Sequence, residues 1–300
     1  MKKYISIFIA LGVTFASCDK KLDLLPQQSV AEEVALSSDA NVKKVLNGAY
    51  DALSSGDLYG GSLFLYSELL AADGEIRWEG TFNQPREIWL KSILTTNSYV
   101  RDTWLSAYTN INICNNILSA VNVVATADQN RVKGEALFIR GALYFELIKL
   151  YAKPYSAGSV TSNPGVPLIL TPTRGIDQSS FVARSTVEQV YTQILADLTE
   201  AENLLPNTNS VYATKPAASA MLSRVYLQME RFADARDAAN RGITVATANG
   251  KSLVSSYAAA FNNSSNVAEY LFAIQLSAQD GSNDMHLFWS IPEFGGRDGD

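Results

Sequence analysis

The stretch RVKGEALFIRGALYFELIKLYAKP, residues 131–154, decides the fold. Apolar residues recur at helical spacing along one face of it: Ala136, Leu143, Leu147 and Leu150. A second apolar set occupies the adjoining face: Leu137, Tyr144, Ile148 and Tyr151. Because polar side chains keep only a narrow strip, the stretch predicts a helix that is buried on most of its circumference. A glycine inside a helix costs about 1 kcal/mol against alanine, so Gly141 indicates a neighbouring helix in close approach.

A later stretch, residues 213–243, reads ATKPAASAMLSRVYLQMERFADARDAANRGI and has the helix–turn–helix pattern of a tetratricopeptide unit. Four residues fall at or near the small and aromatic signature positions of such a unit: Leu222, Tyr226, Ala235 and Gly242. A unit of this kind cannot bury its apolar face alone, so it must stack on other helices, and residues 131–154 are the best candidate partner. The predicted fold class is mainly α, with tetratricopeptide-like helix pairs, long surface loops and a few short strands.

Further elements follow from capping residues and apolar periodicity. Helices are predicted from Asp39 or Asn41 to about Leu53, and at 62–71, 99–124 and 187–205. Ser185 and Glu188 are spaced as a capping box for the last of these, and Pro206 closes it. Two segments are predicted to be extended, the second of them as a strand: 166–170 and 269–276.

Charge and composition exclude several functions. The chain of 300 residues carries 24 Lys and Arg against 30 Asp and Glu, a net charge of −6, without the basic stripe that nucleic acid requires. We therefore expect no nucleic-acid partner. Two cysteines in unlike contexts do not make a disulfide framework.

The first 18 residues, MKKYISIFIALGVTFASC, have the pattern of an export signal. Their apolar run is too short to span a bilayer core of about 30 Å. Residues 15–18 look like a bacterial lipobox, with Phe15 in place of the usual leucine and Cys18 as the lipidation site. We expect 1–17 to be a signal peptide and 18–300 to form one α-helical domain. Ordinary secretion, with Cys18 a chance residue, is the alternative.

Several motifs, taken in order, resemble one family. They are CDKKLDLLPQ, NVKKVLNGAYDAL, DTWLSAYTNINICNNIL, EALFIRGALYFELIKLYAKPY followed by GVPLIL, STVEQVYTQILADLTEAENLLP, the 213–243 unit and AEYLFAIQ. In this order they resemble the RagB/SusD family of surface glycan-binding lipoproteins of Bacteroidota. Members of that family are usually much longer, with a C-terminal segment that supplies another helix pair and part of the ligand surface. The chain is therefore expected to be a truncated or fragmentary member.

The resemblance implies a function and a location. Such proteins are lipid-anchored at the cell surface, on the outer membrane, above a SusC-like TonB-dependent transporter. They capture oligosaccharides and act as a lid for import, and they are not enzymes. The resemblance implies the same partners here, and no cofactor or metal site is predicted.

Sugar binding needs aromatic faces for stacking and polar groups for the hydroxyls. The segment 73–89 offers both: Trp78 and Phe82 for stacking, and Asp73, Glu75, Arg77, Glu79 and Asn83 for hydrogen bonds. Trp89 is expected to pack beneath the loop, and for Trp78 packing and binding are equally good interpretations. A second candidate cluster lies near the end of the chain: Phe288, Trp289 and Arg297.

Two functions of other classes stay open. The 213–243 unit also suits a scaffold that binds a protein or peptide. Glu75 and Glu79 could serve a glycosidase, whose two carboxylates flank the scissile bond. Other enzyme classes are disfavoured because His286 is the only histidine, and neither a G-x-S-x-G elbow nor a P-loop occurs.

Overall fold

The computed structural model describes residues 32–261, 265–276 and 284–296. The predicted signal peptide and Cys18 lie outside the described residues. The described part is mainly helical, as predicted. Its α-helices are α1 (Glu32–Ala35), α2 (Asp39–Leu53), α3 (Ser62–Ala71), α4 (Asn83–Trp89), α5 (Ser98–Ser119), α6 (Thr126–Tyr151), α7 (Val187–Leu204), α8 (Lys215–Gln228), α9 (Phe232–Ala248) and α10 (Asp284–Trp289). Short 3₁₀ turns add Val121–Val123, Gln178–Ser180, Tyr257–Ala260 and Pro292–Phe294.

Helix α6 is the centre of the core. Every residue from Gly134 to Ile148 is buried, and α2, α5 and α7 all pack against it. The prediction of a helix buried on nearly all sides is confirmed. Its predicted bounds are corrected, because the helix begins at Thr126 and ends at Tyr151.

The caps follow local side-chain chemistry. The side chains of Ser38, Asn97 and Thr214 each accept a backbone N–H at the start of α2, α5 and α8. The predicted capping box at α7 is displaced by one residue: Thr186 Oγ1 accepts from the Gln189 N–H at 3.2 Å, and Gln189 Oε1 accepts from the Thr186 N–H at 2.9 Å. A glutamine completes the box as well as a glutamate does, so the sequence allowed both registers.

The glycine in mid-α6 lies where α7 comes closest. A methyl group placed on Gly141 would lie 2.9 Å from Leu198 Cγ and 3.3 Å from Asp197 Cβ. Close approach of a neighbouring helix, the reason predicted for this glycine, is therefore confirmed. A methyl group placed on Gly48 of α2 would have no atom of another segment within 4 Å, and this glycine lies on an exposed face.

We expect Gly141→Leu to lower the free energy of unfolding by about 1–3 kcal/mol, because the added side chain has to displace α7. Gly48→Leu is the matched substitution on an open helix face, and it is expected to raise that free energy by about 0.5–1 kcal/mol. Urea denaturation of both variants measures the two changes. Equal effects at the two glycines would contradict the close packing of α6 on α7.

The tetratricopeptide-like pair is formed by α8 and α9, which are joined by a short turn and pack along each other. Gly242 of α9 lies against Ser219 of α8, where an added methyl would come within 3.1 Å of Ser219 Cβ. The predicted stacking partner is corrected. Helix α7 lies between α6 and the pair, so α8 packs mainly on α7 and touches α6 only marginally.

The two extended segments form no strand in the described part of the chain, where the single β-bridge joins Pro164 and Thr186. The strand predicted at 269–276 is therefore corrected. In segment 166–170, backbone N–H and C=O groups instead form hydrogen bonds with side chains of the helices. The Tyr144 hydroxyl both accepts from the Ile169 N–H and donates to the Ile169 carbonyl, each at 2.8 Å. Such bonds remove the need for a partner strand.

Candidate functional site

The candidate site lies where the 73–89 segment meets α10. Helix α10 docks on the turn that follows α2, where the Met285 N–H donates to the Gly60 carbonyl at 3.0 Å. A methyl group on Gly61 would lie 2.3 Å from Asp284 Cβ, so this contact requires glycine. Burial, and then the nearby Asp57 carboxylate, raise the pKa of Asp284. In this position of α10, the Phe288 ring lies 6.0 Å from the ring of Trp78 in the 73–89 segment.

Trp78 packs inside this region and is only 5% exposed. Its indole N–H donates to the Phe82 carbonyl at 3.1 Å, and its ring lies 6.0 Å from that of Phe288. A ring covered in this way presents no face to a sugar. Of the two interpretations of Trp78, the geometry therefore favours packing, and the partly buried Phe82 packs against the same cluster.

Two side chains of the 73–89 segment donate to the segment's own carbonyls. The Trp89 indole donates to the Ile76 carbonyl at 2.9 Å, and the Arg86 guanidinium donates to the Gly80 carbonyl at 3.0 Å. The prediction that Trp89 packs under the loop is in accord with this bond. Residues 83–89, predicted as loop, form α4, a helix too short for the periodic pattern to show. The segment is thus a braced surface with a fixed course.

The outer face of the same segment is polar. Asp73, Glu75, Arg77, Glu79 and Asn83 are all exposed. Arg77 and Glu79 form an ion pair with exposed fractions of 74% and 58%. Backbone N–H bonds, its own and that of Asp73, lower the pKa of Glu75. All five predicted hydrogen-bonding residues therefore face solvent on one short stretch.

Trp289 supplies the exposed aromatic ring of the region. It is 45% exposed, and its ring meets that of Phe288 edge-on at 6.3 Å. Since Phe288 also packs on Trp78, a row of three rings leads from the core to the surface. Arg297, the third member of the second predicted cluster, lies outside the described residues. The row leaves the Trp289 ring accessible at its outer end.

A second braced surface was not predicted. The Asn115 amide donates to the Ile169 carbonyl at 2.8 Å and to the Thr171 carbonyl at 3.3 Å. The Tyr108 hydroxyl donates to the Pro167 carbonyl at 2.7 Å. Burial raises the pKa of Tyr144 to about 12, which keeps its hydroxyl able to donate. The only sequence signal was polar side chains on the buried faces of two helices.

No group of three or more His, Cys, Asp and Glu side chains in the described ranges is arranged to hold a metal ion. Cys114 is buried and free, and burial raises the pKa of its thiol to about 12, which leaves it protonated and unreactive. Among the helices of the described part, none has the length and apolarity needed to cross a membrane.

Packed helices with a tetratricopeptide-like pair, and loops held by side-chain hydrogen bonds, define a class, that of mainly α-helical proteins. The family follows from comparison with known proteins. Residues 20–227 match the SusD-like family model described as starch-binding and associating with the outer membrane. Because the match covers more than half of the chain, the protein belongs to the SusD-like family.

Relatives agree with this assignment. SusD-like protein P2 of Formosa agariphila is 27% identical over 244 residues, which are 80% of this chain and 46% of that protein. SusD-like protein P38 of the same organism is 24% identical over 239 residues, 79% of this chain and 43% of the relative. The chain thus spans about half the length of the curated relatives it matches.

Solved structures show the same fold. A SusD superfamily protein from Bacteroides thetaiotaomicron superposes with a TM-score of 0.71 at 28% identity, covering 82% of this chain and 55% of that one. Another from Bacteroides fragilis gives a TM-score of 0.69 at 27% identity, covering 81% of this chain and 57% of that one. The mainly α, SusD-like fold predicted from the sequence is confirmed.

Proposed function

We propose that the protein is a surface glycan-binding lipoprotein that captures oligosaccharides without cleaving them. The observation that carries the proposal is the exposed Trp289 ring, which is joined through Phe288 to Trp78 of the 73–89 segment, a segment with an exposed polar face. An indole face stacks on the C–H face of a pyranose ring. Membership of a family described as starch-binding and associating with the outer membrane supports the same conclusion.

The residues of the site take distinct roles in this proposal. Trp289 stacks on a sugar ring, while Asp73, Arg77, Glu79 and Asn83 bond to hydroxyl groups. Trp78 keeps a supporting role, because it carries Phe288, on which Trp289 packs. Because hydrogen bonds from Trp89 and Arg86 hold the backbone of the 73–89 segment, little conformational entropy is lost when a sugar binds.

Location and delivery belong to the same proposal. Lipidation at Cys18 would hold the protein at the outer membrane, each buried CH₂ contributing about 0.8 kcal/mol. A SusC-like TonB-dependent transporter in that membrane would receive the captured oligosaccharide. The resemblance of the motifs and the family's association with the outer membrane support this arrangement.

A protein-binding scaffold is the second candidate function, and one observation favours it. The α8–α9 pair exposes three large apolar side chains: Leu227 at 57%, Phe232 at 64% and Ile243 at 60%. An apolar surface of this kind suits a protein partner. Glycan capture ranks higher because both the exposed aromatic with its polar surroundings and the family support it.

The test is calorimetric titration of residues 19–300, which contain every described contact, with plant, host and microbial oligosaccharides. For a glycan that binds, Trp289→Ala is expected to weaken affinity about tenfold, because the stacked ring is lost. Tyr257→Ala is the control, since that ring is 84% exposed and lies elsewhere on the chain. Chromatography of each mixture reports cleavage.

Two outcomes would contradict the proposal. Equal affinities for the wild type and Trp289→Ala would remove the site from α10. Shortened products after long incubation would favour the glycosidase that the sequence left open, and Glu75→Gln and Glu79→Gln would then be compared. A folded sample that binds no oligosaccharide at all would leave the scaffold function as the better candidate.

A further inference from the structure

A cavity that is lined by none of the residues of the proposed site lies against helix α6. It has a volume of about 340 Å³ and is enclosed by α6, α8, the region from Leu53 to Phe64 and the extended residues 272–274. Its apolar base includes Leu53 and Phe138, both almost fully buried. The volume lies at the small end of the roughly 300–1,000 Å³ of ligand pockets.

Aromatic rings form the walls of this cavity. Tyr59 and Phe64 are neighbours, with ring centroids 6.2 Å apart and planes inclined by 58°. On the other side, Phe272 packs edge-on against Phe138 at 5.3 Å. Phe64 is 44% exposed although it is held by these contacts. Rings fixed in place and partly open to solvent are suited to stacking on a sugar.

The hydroxyl of Tyr59 is already committed to a neighbour. It donates to Glu146 Oε1 at 3.2 Å, and Glu146 also forms an ion pair with Lys149 at 2.7 Å. Burial, and then the Glu146 carboxylate, raise the pKa of Tyr59, so its hydroxyl stays protonated. The hydrogen bond to Glu146 fixes the orientation of the ring. The charge of Glu146 is thereby balanced within α6.

Among the described residues that line the cavity, Arg224 is the single charged one. It is exposed, and none of the hydrogen bonds and ion pairs found within residues 32–261, 265–276 and 284–296 uses its guanidinium. Two other arginines of the helical layers differ, since Arg140 and Arg241 each form a paired contact with a carboxylate. Because Arg224 forms no ion pair within the described residues, its bidentate donors, next to aromatic rings, are available to an anion.

We propose that this cavity binds an acidic sugar, a uronate whose carboxylate pairs with Arg224 while its ring stacks on the exposed face of Phe64. The inference rests on the proposed function, glycan capture, and names the chemical class of the glycan. A carboxylate takes two parallel N–H bonds from a guanidinium, whereas a neutral sugar offers only hydroxyl groups there. The volume accommodates about one or two sugar rings.

The probes are α-1,4-linked trigalacturonate and the matched neutral trisaccharide, α-1,4-linked galactotriose, titrated calorimetrically into residues 19–300. Trigalacturonate is expected to bind, and Arg224→Gln to weaken its binding about 10-fold to 100-fold. Arg236→Gln is the control, because its side chain is 69% exposed on α9 and pairs with the adjacent Asp237. Phe64→Ala is expected to weaken binding as well, and added salt to weaken the wild type more than Arg224→Gln.

The outcomes separate this inference from the function on which it rests. Galactotriose bound as tightly as trigalacturonate, with Arg224→Gln unchanged, would overturn the acidic-sugar site and leave glycan capture intact. Loss of trigalacturonate binding in Trp289→Ala but not in Arg224→Gln would likewise overturn the acidic-sugar site. The ligand would then be assigned to the site at Trp289. Binding of no saccharide to a folded sample would overturn both.

Discussion

Asp197→Ala is expected to lower the free energy of unfolding by about 3–5 kcal/mol, because it leaves the buried charge of Arg140 without its partner. The two side chains join α6 to α7 and are 8% and 3% exposed. Arg140 donates from Nε and from one terminal nitrogen to the two Asp197 oxygens, each at 2.7 Å. Both groups lost their hydration on folding, so neither can recover it when the other is removed.

The same two helices provide the control for this prediction. Lys133 and Glu200 form an ion pair between α6 and α7 in which the side chains are 40% and 46% exposed. Lys133→Ala is therefore expected to change the free energy of unfolding by less than about 1 kcal/mol. Urea denaturation of both variants gives the comparison. Similar losses would show that burial of the Arg140 pair adds nothing.

Replacement of Asp197 is also expected to loosen the surface loop that follows residue 166. The other terminal nitrogen of Arg140 donates to Asn115 Oδ1 at 2.8 Å, and the Asn115 amide holds the Ile169 and Thr171 carbonyls. The buried pair and the course of the loop after residue 166 are therefore linked through one side chain. Faster hydrogen exchange at Ile169 in Asp197→Ala than in Lys133→Ala is the expected sign of that link.

The periodic part of the fold was predictable from the sequence, and its polar core was not. The helical spacing of apolar residues predicted α6, and Gly141 predicted the close approach of a neighbouring helix. Both predictions depend only on residues that are near each other in the sequence. Asp197 carried no such signal. It lies beside apolar residues in a helix with a polar face, and only the rotation of α7 against α6 decides that its carboxylate is buried.

The candidate site shows the same division. The segment from Asp73 to Asn83 was recognised by its mixture of aromatic and polar residues, and its polar members do face solvent. Trp78 could not be assigned, because charged neighbours indicate exposure while the indole itself favours burial. The answer depends on Phe288, which arrives from far along the chain. Arg224 was missed because its cavity is assembled from four separate segments.

Leu143→Ala is expected to lower the free energy of unfolding by about 2–5 kcal/mol, the loss typical of a buried leucine that leaves a cavity. Leu143 is 0% exposed at the centre of the main hydrophobic cluster, and every residue around it on α6 is buried as well. A helix enclosed by α2, α5 and α7 cannot move inward to fill the space, so the value should lie in the upper half of that range.

Leu105→Ala is the matched control on α5, where the leucine is 54% exposed, and it is expected to change the free energy of unfolding by no more than about 0.5 kcal/mol. Urea denaturation midpoints, compared at equal slopes, measure both variants. A small loss at Leu143 would mean that the neighbouring helices can close around α6, and the fold would then not be organised by that helix. A large loss at Leu143 with none at Leu105 would tie the stability of the whole helical layer, including the surfaces proposed to bind sugars, to the single stretch from which the fold was predicted.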